Sequence, residues 1–235
     1  MRLLTWNVAG RVARFEEQAE AVLSREADVV CLQEVTRTTL PRWREVLGPS
    51  LCRIDEQRRL SVLLTCGEEA PAPEVERPES ARAVTWGGAL IVGAHVPNAA
   101  NGWVKVTTLA ALAAHMARAT GPRILCGDLN APRRELPDGT VWSFARDGKG
   151  RLREERGAAW EEGELAPWRV LDDAFRRTHP PEHKEVSWAW PHGGGWRLDH
   201  VLVSPDVGVE RCEYHHAWRE DGLSDHSAME CDLTW

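Results

Sequence analysis

Arg123-Ile124-Leu125-Cys126-Gly127-Asp128-Leu129-Asn130 runs from an apolar stretch into a turn that carries a carboxylate and an amide. The apolar part reads as a short strand, and the polar part sits where such a strand ends, which is where sites collect in layered proteins. Immediately before it, Val104 to Thr120 is rich in Ala and Leu, with Leu109, Leu112 and Met116 on one face, and Gly121-Pro122 closes it as a helix terminator should. Helix followed by strand followed by a polar tip is the unit from which the rest of the chain can be read.

Further strands precede it. Leu3-Leu4-Thr5-Trp6-Asn7-Val8 is a buried run with Asn7 at its end, and Ala27 to Val35 is β-branched and apolar until Gln33-Glu34 interrupts it. A carboxylate in such a place needs a partner or a metal. Between these two runs, Phe15, Ala19, Val22 and Leu23 recur at helical spacing with Glu16, Glu17 and Glu20 opposite, as in a surface helix over a sheet. Ser61 to Thr65 and Ala89 to Val96 are strands joined through a Pro- and Glu-rich connection from Glu68 to Glu79, and Pro97-Asn98 stops the second of them. Downstream, residues 133–166 are dense in Arg, Glu and Gly with little periodicity, as in a long loop or partly helical insertion. Trp196 to Val203 and the run from Asp225 through Met229, Cys231 and Leu233 complete the strands. The expected fold class is α/β (α+β) in a single domain, residues 1–235, with sheets packed on each other and helices outside.

The bulk numbers exclude some function classes. A net charge of -7, from 29 Lys and Arg against 36 Asp and Glu, argues against broad adhesion to a polyanion but leaves room for a local basic groove. No stretch approaches the roughly 18 apolar residues of a membrane span. The six cysteines, Cys31, Cys52, Cys66, Cys126, Cys212 and Cys231, make no C-x-x-C pair and suit a reducing cytoplasm. Twelve tryptophans beside one tyrosine and three phenylalanines point weakly towards nucleic acid, because indole stacks on bases as well as filling cores.

Taken singly, Asn7 reads as a turn former, Glu34 as half of a surface ion pair, Asp128 and Asn130 as an Asx turn and Asp225 as a cap. Their joint occurrence at the ends of apolar strands is what carries the case, since it lines several hard oxygens and an imidazole along one edge of the sheets. Hard oxygens select magnesium or manganese, whereas zinc would want more His or Cys at ligand spacing.

Thr5-Trp6-Asn7-Val8-Ala9-Gly10, Cys31-Leu32-Gln33-Glu34, His95-Val96-Pro97-Asn98, Gly127-Asp128-Leu129-Asn130, Gly195-Trp196-Arg197-Leu198-Asp199-His200 and Leu223-Ser224-Asp225-His226 occur in the order found in the endonuclease/exonuclease/phosphatase superfamily, which the chain resembles over nearly its whole length. The Val-Pro-Asn and Gly-Trp-Arg-Leu-Asp blocks are most similar to the exonuclease III branch of apurinic/apyrimidinic endonucleases. The resemblance implies a four-layered α/β/β/α sandwich of two mixed sheets flanked by helices. It also implies Glu34 as a ligand of magnesium (or manganese), helped by Asn7, with Asp225 as a further ligand. Asp128 would deprotonate the attacking water, Asn130 would bond the phosphate or that water, and His226, oriented by Asp199, would contact a phosphoryl oxygen. His95 departs from the branch, which usually has tyrosine there, and is either a phosphate contact with a labile proton or a core-edge residue.

Substrate contacts implied by the same resemblance are Asn98 and an apolar abasic-sugar pocket of Trp196, Leu198 and Trp188; the alternative is that these tryptophans fill the underside of a loop. Arg197, with Arg11, Arg14, Arg133, Arg134, Arg176 and Arg177, lies in or near site-facing segments and is a candidate to track phosphates. The expected protein is a cytoplasmic DNA-repair nuclease cutting beside abasic sites, with 3'-exonuclease or 3'-phosphatase activity, DNA as partner, no membrane and no obligate protein partner. Competing readings are a phosphoesterase for a small-molecule, lipid or RNA phosphate and a non-catalytic binding module on the same fold.

Overall fold

Alternation along the strands builds two interiors from one run of apolar residues. In the Arg2–Asn7 strand, Leu3 packs with Val29, Cys31, Ile91, Ile124 and Met229, while its neighbours Leu4 and Trp6 pack on the opposite face with Phe15, Val22 and Trp43. Successive side chains of a strand point to opposite faces, so a strand buried on both sides is apolar throughout. That is why these segments read as continuous runs.

The computed structural model describes residues 1–52, 60–65 and 67–235, and Cys66 therefore lies outside the described residues. The strands form two mixed sheets of six. One runs Gly208–His215, Ala228–Thr234, Arg2–Asn7, Val29–Thr36, Leu60–Thr65, Ser50–Cys52. The other runs Asp172–Asp173, Asp199–Val203, Arg123–Asp128, Ala89–His95, Ala81–Trp86, Glu68–Glu69. Their facing sides share the core around Leu3, Val62, Ile91, Ile124 and Val201. The helices Phe15–Leu23 and Leu40–Leu47 cover the first sheet through Phe15, Val22 and Trp43, and Trp103–Arg118 covers the second through Leu109, Leu112 and Met116. The four layers expected from the sequence are present.

Three strands, Ala81–Trp86, Gly208–His215 and Ser50–Cys52, and the helix Leu40–Leu47 were not among the elements read from the sequence. Residues 133–166 hold a two-stranded ribbon, Arg134–Glu135 against Val141–Trp142, and the helix Gly157–Glu164, which packs on Trp103–Arg118 through Trp160 and Val106.

Register decides where the polar tips meet. His95 pairs with Asp128 and Asp199 pairs with Asp128, so three ionisable residues occupy one row across three strands of the second sheet. In the first sheet Asn7 pairs with Gln33, one residue short of Glu34. Gly127 makes the approach possible: its φ is +134°, and a Cβ there would lie 1.9 Å from the Ala94 carbonyl oxygen.

Candidate active site

Glu34 reaches the site because its strand is irregular. The pairing of Val29–Thr36 with Leu60–Thr65 shifts between Leu32 and Val35, and within that bulge Glu34 adopts a φ of +59°. A bulge re-aims a side chain, and a non-glycine residue held at positive φ marks a place where the surrounding structure overrides local preference. Asn130 is held similarly, at φ +50°, two residues beyond Asp128.

Asn7 joins the two carboxylates. Its Nδ2 donates to Glu34 Oε1 at 3.1 Å and to Asp128 Oδ2 at 3.0 Å, while its Oδ1 accepts from the Ala9 amide. In this arrangement Asn7 orders the carboxylates and turns its oxygen away from them. His95 stands between the same two groups, with Nε2 at 3.7 Å from Glu34 Oε1 and 3.8 Å from Asp128 Oδ2. Its side chain is partly exposed beside these carboxylates.

Asp128 is buried and accepts from the Asn130 backbone at Oδ1 and from Asn130 Nδ2 at Oδ2, 3.3 Å away. Burial pushes its carboxyl above the ordinary carboxylate range, with His226 and His95 partly offsetting that rise and Asp199 adding to it. His226 Nε2 lies 3.9 Å from Asp128 Oδ2, and its Nδ1 is 2.8 Å from Asp199 Oδ2. Burial works against the imidazolium, but Asp199 and Asp128 outweigh it and raise the ring to about 10. Ligand-type atoms of Asp128, Asp199 and His226 lie within 4.8 Å of one another.

The C-terminal tip is pinned to the first strand, since Ser224 Oγ donates to the Asn7 carbonyl at 2.6 Å and to no substrate-facing group. Asp225 is exposed and accepts from Trp188 Nε1 at 3.2 Å. A divalent cation fits this donor set. Glu34 and Asp128 share the Asn7 amide, Asp128 also accepts from Asn130, both lie near imidazoles, and among the described residues no lysine or arginine lies within ion-pair distance of either. His226 offsets part of this negative charge, but Glu34 has no lysine or arginine beside it, so an external cation suits it, and oxygen donors favour a hard one.

The expected substrate residues separate into two groups. Trp188 and Trp196 are stacked, with centroids 5.4 Å apart and planes 13° apart, Trp190 lies edge-on to both, and Phe144 meets Trp196 at 5.1 Å. Together they form a wall beside Asp225 rather than two sides of a slot, and Leu198 is buried. Arg197 does not face the site: only 5% exposed, it pairs with Asp173 and Glu135, and its charge is consumed there. Arg176 and Arg177 are likewise tied to Glu135 and Asp172. The Asn98 side chain caps the turn Ala99–Asn101, accepting from the Ala100 amide at 3.1 Å and from Asn101 Nδ2 at 2.9 Å.

Two supports of the site escaped sequence reasoning. Ser187 Oγ accepts from the Leu198 and Asp199 amides and so fixes the start of the strand that carries Asp199. Lys105 is fully buried and donates to the Asn130 carbonyl at 2.6 Å and to Glu164 Oε1 at 3.1 Å. Its signal was available: Lys105, Leu109, Leu112 and Met116 share one helical face, and a lysine on an apolar face needs a buried partner.

A family model described as Endonuclease/Exonuclease/phosphatase family matches residues 4–226. Among solved structures, an AP endonuclease from Archaeoglobus fulgidus superposes with a TM-score of 0.74 at 14% identity, covering 100% of both chains. The 3' phosphatase NExo from Neisseria, bound to product DNA hairpin, gives 0.74 at 18% identity, again over 100% of both. TDP2 from D. rerio, complexed with single strand DNA product, gives 0.72 at 15% identity over 100% of this chain and 99% of that one. At these identities the likeness is one of fold.

Proposed function

Because this chain belongs to the endonuclease/exonuclease/phosphatase family, we propose that it is a divalent-metal-dependent hydrolase of DNA phosphodiester bonds that cuts beside abasic sites. The observation that carries the reading is the surroundings of Asp128: a buried carboxyl held by Asn7 and Asn130 and flanked by the imidazoles of His95 and His226.

In this reading Asp128 takes a proton from the attacking water, and Asn130 keeps its carboxyl oriented for that. A carboxyl lifted towards neutrality by burial is a better proton acceptor than a solvated one. His226, its Nδ1 fixed on Asp199, presents Nε2–H to a phosphoryl oxygen as negative charge builds there. His95, 3.8 Å from the same Asp128 oxygen, supplies a second donor. Glu34 would hold the cation, with Asp225 as a further carboxylate and Asn7 ordering Glu34. A bound magnesium or manganese ion supplies charge neutralisation at phosphoryl oxygens. The Trp188/Trp196 wall offers an apolar surface to a sugar that carries no base. Processing of 3' ends uses the same groups and is the accompanying activity we expect.

The test is incubation with magnesium of a duplex carrying one tetrahydrofuran abasic analogue, beside an intact duplex and bis(4-nitrophenyl) phosphate. Scission confined to the analogue supports the proposal. Hydrolysis of the small diester alone overturns the DNA reading, and no hydrolysis of any substrate with magnesium or manganese leaves a binding module.

A further inference from the structure

The whole-chain charge of -7 is at odds with a nucleic-acid substrate unless positive charge is gathered locally, and the segment that follows Asn130 gathers it. Arg133 and Arg134 line a cleft of about 220 Å³ with Trp142, Asp147 and Trp196, and it adjoins a second cleft of about 510 Å³ that shares Arg133, Arg134 and Trp196. The Arg134 guanidinium lies 5.5 Å from the Trp142 ring centre, and Arg133 lies 5.9 Å from that of Phe144.

Arg156 donates to the carbonyl of Phe144, whose ring Arg133 faces, and burial first, then the charges of Arg153 and Arg156, lower the affinity of Arg133 for its own proton. The nearby acids are committed: Asp147 to Arg151, and Glu164 to Lys105. Among the described residues no carboxylate lies within ion-pair distance of Arg133, Arg134 or Arg156, while Arg153 has only the exposed Glu155 at 3.9 Å. Arg133 is half-buried, faces the cleft and has no carboxylate in ion-pair contact, so it has room for an external anion.

The cluster is also tied to the site. Phe144 meets Trp196, Trp196 stacks on Trp188, and Trp188 donates to Asp225; on the other side Lys105 lies 4.1 Å from the Phe144 ring centre and bonds the Asn130 carbonyl. We propose that Arg133 and Arg134 form a second phosphate subsite that grips the backbone of a nucleic-acid strand away from the scissile phosphate, alongside the aromatic wall. Guanidinium groups bind phosphate bidentately and stack on aromatic faces, which suits this mixture of cations and rings. The inference rests on the proposed DNA substrate and deepens it: a small phosphomonoester or diester would leave this subsite unused.

The experiment is binding of a fluorescein-labelled 15-nucleotide abasic duplex in EDTA, read by anisotropy across a salt series, with scission by the wild-type protein in magnesium run alongside. For Arg133→Gln/Arg134→Gln we expect affinity to fall about 10-fold or more and the slope of log K against log salt to shrink by about 2, near 0.9 for each phosphate no longer neutralised. Arg133→Lys should keep most of the slope, and thermal melting establishes that each variant is folded. Unchanged affinity and slope in the folded double variant overturn the subsite even if the wild type cuts the duplex, as does wild-type protein that binds no duplex. Loss of affinity and slope in a protein whose wild type binds but does not cut supports the subsite and overturns the proposed reaction instead.

Discussion

His226 Nδ1 and Asp199 Oδ2 are 2.8 Å apart in the interior, and the other Asp199 oxygen has no hydrogen-bond partner among the described residues. One carboxylate oxygen is therefore devoted to one imidazole nitrogen, which leaves the opposite nitrogen, 3.9 Å from Asp128, for the phosphoryl contact proposed for it. Asp199→Ala should lower kcat on the abasic duplex by about 100-fold or more, because it frees the ring to rotate and removes the charge that favours its protonated form. His226→Ala should lose a similar factor. The double variant should be little worse than either single one if the two act as a unit, and multiplicative losses in kcat would show that they do not.

Asp128 and Glu34 touch the same Asn7 amide, yet removing their charges should have different consequences. Asp128→Asn removes the proton acceptor and should cut kcat by about 100-fold or more. Glu34→Gln should instead raise the magnesium concentration for half-maximal rate, by about 10-fold or more, with much of kcat recovered at saturation. A magnesium titration of each variant separates the two, and a Glu34→Gln protein with unchanged magnesium dependence would remove Glu34 from the cation site.

Much of this site was legible in the sequence because the fold writes it at strand ends. Asn7, His95 and Asp128 end apolar runs and Asp199 opens one, and what pattern alone left open was whether the runs lie side by side, which their register supplies. The Gly208–His215 strand was invisible for the complementary reason. It is an edge strand with one half-buried face, so its charged residues Glu210, Arg211 and Glu213 break the apolar pattern. Arg197 misled because the motif fixes its position but not its partner: Asp173 and Glu135 come from distant segments and draw it inward. Lys105 depends on Glu164, inside the segment with the least periodicity, so its buried partner could not be paired with it by pattern alone.

That buried pair makes a stability prediction. Lys105 and Glu164 are both fully buried, Glu164 also accepts from the Phe144 amide and Trp160 Nε1, and burial draws Lys105 down to about 8 against the pull of Glu164. Lys105→Met should destabilise by about 3–5 kcal/mol, since it strands a buried carboxylate, and Glu164→Leu should cost a similar amount. Combined, they should cost less than their sum, as neither charge is left unpaired. Urea denaturation of the four proteins gives the coupling, and additive losses would mean that the two side chains act independently.

Glu230, which pairs with Leu4 and touches none of the proposed cation ligands, provides the acid-stability prediction. Its side chain is fully buried and meets Arg25 at 2.6 Å and His215 at 3.2 Å, with Arg211 on its other oxygen. Burial alone would raise its carboxyl; the hydrogen bonds from His215, Arg25 and Arg211 override that and hold it well below the ordinary value. A carboxyl depressed in the folded protein binds fewer protons there than in the unfolded chain. Its contribution is therefore complete above the unfolded value, roughly pH 4.3, and is lost as pH falls from there towards the folded value. Glu230→Gln should cost about 2 kcal/mol at pH 7, the scale of hydrogen bonds to a charged group, and its Tm should fall less steeply than wild type between pH 5 and pH 3. Parallel Tm curves over that interval would show that Glu230 titrates alike in both states and that its arginine contacts contribute nothing to acid stability.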